Sequence, residues 1–179
     1  MANTDSYGKF DKFIHWLMAI NIFATLVFAY GMSDLPFELK SHEYGQHGAS
    51  VTTIAICILI RALWRARQGF PTLPASMTDG QKLAAKAVHY GLYMCIFLQV
   101  GIGVLLASTT EQDFIALGYN INYSGFNLVA DDAYSTLLTL HKIVYWVIIG
   151  LLVLHIGAAL KHHFVDKDNV LRRMLPFGK

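Results

Sequence analysis

The sequence predicts an all-α, four-helix transmembrane bundle with both termini on the cytoplasmic side. Three observations predict it. The 179 residues are 55% hydrophobic and only 15% charged, with a mean hydropathy of +0.43, against roughly a quarter charged in an average soluble domain. The apolar residues fall in four long runs, each near the ~20 residues that a spanning helix needs. The basic residues gather at alternate connections. The length fits a single domain over residues 1–179.

The runs are taken in order. The first extends from Phe13 to Met32, behind Lys9 and Lys12. It is longer than a signal-peptide core and lacks a small-residue cleavage site, so it reads as a span. The second extends from His47 to Trp64, with no charged side chain before Arg61. The third extends from Leu83 to Ser108 and the fourth from Tyr134 to Phe164. In lipid every backbone polar group must be satisfied internally, which makes each span a helix and the set a bundle.

The loops orient the spans. Arg61, Arg65, Arg67, Lys82 and Lys86 lie at or between the ends of spans two and three, and Lys161, Lys167, Arg172, Arg173 and Lys179 close the chain. The two other connections are acidic, with Asp34, Glu38 and Glu43, then Glu111, Asp113, Asp131 and Asp132. The positive-inside rule puts the basic side in the cytoplasm. Trp16 and Trp64 then fit the inner interface, and Tyr30 and Tyr44 the outer one. Phe70 to Thr78, with two prolines, is an inner connection. Thr109 to Ala133 is longer than a simple loop requires and reads as a partly folded outer cap. His42 falls in an outer loop.

Composition also excludes. A formal charge of +2 gives no basis for nucleic-acid binding. Cys57 and Cys95 stand alone in apolar runs and form neither CxxC nor CxxCH, which argues against covalent haem attachment or a thiolate metal site. They read as small buried hydrophobes.

The histidines carry the chemistry. There are eight, most of them within or at the ends of spans, where ionisable groups are costly and mark function. Helix direction places His15, His89 and His155 toward the cytoplasmic side, and His47 and His141 toward the outer side. His141 and His155 are fourteen residues apart, about four turns, so they share one face about 21 Å apart along the axis. With ligand bonds of about 2 Å they cannot share one metal ion. They can serve two stacked sites, each completed from another helix. His47 is the outer partner, and His15 or His89 the inner one. Two neutral imidazoles on opposite sides suit six-coordinate haem iron. Gly45, Gly48, Ala49, Gly101, Gly103, Gly150, Gly157, Ala158 and Ala159 offer room for a porphyrin, or simply allow close helix contact. A zinc site would prefer histidine or carboxylate pairs at i, i+3 or i, i+4, which the spans do not show.

Phe13-Ile14-His15-Trp16, His47-Gly48, Arg61-Ala62-Leu63-Trp64-Arg65, His89-Tyr90-Gly91-Leu92-Tyr93, His141-Lys142, His155 and His162-His163-Phe164 follow in order, then Asp168 through Pro176 (DNVLRRMLP). In this combination the chain resembles the bacterial cytochrome b561 family, the short di-haem type, over nearly its whole length. The resemblance implies two haem b groups: His15 with His155 at the inner site, and His47 with His141 at the outer. It leaves His89 for a quinone pocket or as an alternative inner ligand. It also implies an enzyme that oxidises superoxide at the periplasmic face and reduces ubiquinone, in the bacterial inner membrane. The alternative is an electron-transfer subunit that docks a hydrogenase or another dehydrogenase as its redox partner protein.

Lys142, beside His141, is the candidate for meeting superoxide, for pairing with a haem propionate, or for anchoring a helix end. Arg61 and Arg65 are candidates for propionates, with interfacial anchoring as the equal alternative. Trp16, His89 and His162 are the quinone-pocket candidates.

Overall fold

A computed structural model describes residues 6–69, 71–75 and 77–177. Of the sequence expectations, the positions of Phe70 and Lys179 lie outside the described residues. Four helices form: α1 (Lys9–Ala29), α2 (Phe37–Gln68), α3 (Asp79–Ala107) and α4 (Tyr134–Phe164). Between α3 and α4 two short strands, β1 (Asp113–Ala116) and β2 (Tyr119–Asn122), pair antiparallel. Each helix is long and apolar enough to cross a membrane.

Local chemistry sets the helix ends. Thr78 and Gln81 form a reciprocal capping box at the start of α3, in which Thr78 Oγ1 accepts from Gln81 N at 3.3 Å and Gln81 Oε1 accepts from Thr78 N at 2.8 Å. Gly69 ends α2 with φ +71°, a conformation open to glycine, and its N–H donates to Arg65 O at 2.9 Å. Pro36 precedes α2 and starts it ten residues before the apolar run. The extra turns are polar, so hydropathy does not reveal them. His42 therefore lies on a helix and not in a loop, exposed and 3.2 Å from the Glu43 carboxylate.

The bundle is built as two helical hairpins. α1 packs chiefly on α2, and α3 on α4, with fewer contacts across the seam. Ile14, Met18, Ile22, Ile54, Ile58, Ile96, Ile102, Val144 and Ile148 fill the core that joins them. Cys57 and Cys95 are free thiols buried in that core. Phe13, Ile20, Phe23, Trp146 and Val153 face outward, as lipid-contacting side chains of a spanning bundle do.

The connection from Thr109 to Ala133 folds partly into the β-hairpin, which is seated on α2. Gly48 makes this possible: a Cβ there would stand 2.9 Å from Phe114 Cβ and 3.0 Å from Ile115 N and O. Gly45 lies near the same strand more loosely, a Cβ there standing 3.3 Å from Ile115 Cδ1. These two glycines thus admit strand β1, and Gly48 also lines the cavity beside His47 and His141. Tyr44 is buried and stacks on Phe114 at 5.6 Å, so it anchors the hairpin and not the membrane interface.

At the other end the C-terminal segment folds back on the bundle. Trp16 Nε1 donates to Met174 O at 2.9 Å, and Arg173 Nη1 to Thr72 O at 2.7 Å. This is called the terminal end below, and the opposite one the hairpin end.

Candidate haem-binding sites

The seam between the two helical hairpins holds the histidines. On the hairpin end, His47 of α2 faces His141 of α4 with ring centroids 6.4 Å apart. On the terminal end, His15 of α1 faces His155 of α4 at 6.2 Å. His89 of α3 approaches the same His155 ring more closely, at 5.1 Å. With metal–nitrogen bonds of about 2 Å and ring nitrogens about 1.1 Å from their centroids, two imidazoles on one iron stand roughly 6 Å apart. The His47–His141 and His15–His155 spacings match that value. His89 and His155 are too close for it.

A cavity of about 750 Å³ opens beside the hairpin-end pair, within the ~300–1,000 Å³ range of pockets that enclose cofactors. His47, His141, Gly103 and Lys142 line it. Gly103 lets the His141 ring lie close, since a Cβ would stand 3.3 Å from His141 Cε1. His141 Nδ1 is buried with no hydrogen-bond partner. Paired imidazoles across a roomy, mostly apolar slot with an orphaned ring nitrogen fit haem.

Residues 6–177 match the prokaryotic cytochrome b561 family. The chain belongs to that family. Membership carries haem b binding and membrane electron transfer, in a family that typically interacts with quinone, and makes this a multi-pass bacterial membrane protein. The chain is 31% identical to cytochrome b561 homolog 2 of Escherichia coli (strain K12), over 96% of this chain and 92% of that protein. It is 25% identical to cytochrome b561 homolog 1 of the same organism, over 97% and 98%. It is 28% identical to a probable superoxide oxidase CybB of Yersinia pestis, over 91% and 92%.

Lys142 is exposed on α4 at the rim of the hairpin-end cavity, which Asp34 also lines. Arg61 and Arg65 are buried and converge on α1: Arg61 Nη1 donates to Asp11 O at 3.3 Å, and the Arg65 guanidinium pairs with the Asp11 carboxylate. Arg65 also donates to Gly69 O at 2.8 Å and lies 4.9 Å over the Tyr7 ring. Burial pushes the Tyr7 hydroxyl above its ordinary pKa. Arg61 remains within electrostatic reach of His15 and His155. Trp16 holds the C-terminal segment, and its ring meets His15 edge-on at 5.7 Å. His89 has one ring nitrogen, Nδ1, 2.6 Å from Ala85 O.

His162 lies in the last turn of α4. It is buried at the end of α4, with Nδ1 2.7 Å from Asp168 and 3.2 Å from Asp166. Asp166 in turn takes the Lys161 ammonium at 2.7 Å. This His–Asp–Asp grouping was missed in the sequence, because Asp168 lies beyond the helix and reaches back only through the turn at Lys167, whose φ is +53°. Its ligand atoms lie within 4.8 Å of one another. In this structure the grouping pins the C-terminal turn. Asp11 was missed too, as one acid among lysines before the first apolar run.

Proposed function

We propose that this protein is a superoxide:ubiquinone oxidoreductase of the bacterial inner membrane, with both termini in the cytoplasm and the β-hairpin in the periplasm. Two superoxide anions give up one electron each, and one ubiquinone takes both electrons with two protons. Two haem b groups, one at each histidine pair, supply one-electron transfer through the bilayer. His47 and His141 hold the outer one, and His15 and His155 the inner. The ring spacing of the two pairs, 6.4 and 6.2 Å, at two depths of α4, carries the two-haem part of this reading, and the similarity to the probable superoxide oxidase of Yersinia pestis supports the substrate.

The chain's own groups divide the remaining work. Lys142, at the rim of the outer cavity, presents a cation to an anionic substrate and is the catalytic candidate. Arg61, held by Asp11 beside the inner pair, is placed to take a propionate. The ion pair of Arg65 with Asp11 makes it a helix-to-helix tie, so Arg65 contributes through its hold on α1. His89 and Trp16 flank the inner pair and remain the quinone candidates. His162 joins them if its carboxylate partners release it.

The test is anaerobic addition of superoxide to the oxidised, detergent-purified protein. Rapid reduction of the haem α-bands, followed by reoxidation with added ubiquinone, is the expected result. Haems that stay oxidised would leave this protein an electron carrier for a partner dehydrogenase.

A further inference from the structure

Two buried atoms beside the outer histidine pair lack partners, and their chemistry is complementary. One is His141 Nδ1 and the other is Gln99 Oε1. Both side chains line the same cavity. Gln99 lies on α3 one helical turn from Gly103, so both project from one face. Gly103 is the residue against which the His141 ring rests, with a virtual Cβ 3.3 Å from Cε1 and 3.9 Å from Nδ1. The edge of the ring that carries Nδ1 is therefore turned toward the α3 face that bears Gln99.

An imidazole that binds metal through Nε2 keeps its proton on Nδ1, which becomes a donor in need of an acceptor. A glutamine carbonyl is such an acceptor. A polar side chain at this depth of a membrane bundle is costly unless it is used.

We propose that Gln99 Oε1 accepts a hydrogen bond from His141 Nδ1 and so acts as a positioning residue for the outer haem ligand. The proposal rests on the reading that His47 and His141 hold haem. Such a partner fixes the tautomer and ring orientation of the ligand and raises its basicity. A more basic axial ligand favours ferric over ferrous iron, so Gln99 lowers the potential of the outer site relative to a chain without it. Electron delivery onward to the inner site then runs more readily downhill.

Two substitutions test this in the haem-loaded protein. Gln99→Leu removes the acceptor at similar size, and Gln99→Glu keeps an acceptor of greater strength. Redox titration of the two resolved α-bands is expected to move the outer midpoint up in Gln99→Leu and down in Gln99→Glu, with the inner midpoint unchanged. Loss of the outer haem to apomyoglobin should quicken about tenfold in Gln99→Leu, the lower end of the effect of such partners. Midpoints that move in the same direction in both variants, that move at the inner haem instead, or that do not move would overturn the proposal. If Gln99→Leu assembles poorly, Gln99→Met makes the same comparison. Failure of the underlying reading is separately visible, since His141→Ala would then leave both haems in place.

Discussion

Replacing His15 by leucine should remove the inner haem alone, whereas replacing His89 by leucine should remove none. Two axial imidazoles on one iron stand roughly 6 Å apart between centroids, and His15 lies 6.2 Å from His155. His89 lies 5.1 Å away, 1.1 Å nearer than His15. Bringing His89 into an axial position would require α3 to withdraw by about that much from α4, its main packing partner. A close-packed interface resists such a shift. Leucine keeps most of the side-chain volume, so the seam stays filled and the effect reports ligation. The assay is haem per chain by pyridine haemochromogen, with redox titration to tell which site is lost. The expected stoichiometry is close to one for His15→Leu and for the control His155→Leu, and two for His89→Leu. A His89→Leu protein with one haem beside a His15→Leu protein with two would refute the reasoning and make His89 the ligand.

Three further outcomes follow from named contacts. Gly48→Ala should destabilise the hairpin end by about 1–3 kcal/mol, the usual cost of overpacking, because its Cβ would meet backbone at 3.0 Å; faster protease cleavage between β1 and β2 and a lower Tm would show it. Asp11→Asn should cost about 3 kcal/mol, since it strands the Arg65 charge in a buried pair; thermal unfolding in detergent measures this, and an unchanged Tm would deny the tie between α1 and α2. Lys142→Glu should slow reduction by superoxide several-fold at low salt, with the difference shrinking as ionic strength rises; a salt-independent rate would remove Lys142 from the approach of the substrate.

Much of the bundle was legible because its signals are local. Four apolar runs must become helices in lipid, and all four appear, although polar turns extend α2 back to Phe37 and α3 back to Asp79. Those extensions carry no hydropathy signal and are held by Pro36 and by the Thr78–Gln81 box. The histidine depths were equally legible, because fourteen residues on one helix define two levels. The cap was only half legible. Thr109 to Ala133 is too long for a simple loop, but its seat on α2 depends on Gly48 and, more loosely, Gly45, more than sixty residues earlier in the chain.

The sequence by itself determined that this is a four-span bundle with histidines at two depths, since helix period and hydropathy are properties of each segment alone. Only the tertiary structure decided which side chains meet across the seam. It put the His15 and His47 rings 6.2 and 6.4 Å from their partners on α4, and the His89 ring nearer, at 5.1 Å. It locked Arg65 onto Asp11 and His162 onto Asp166 and Asp168. It turned two glycines into a berth for the hairpin. Those are distances between residues far apart in the chain, and they follow from how two helical hairpins pack against each other, which no single segment encodes.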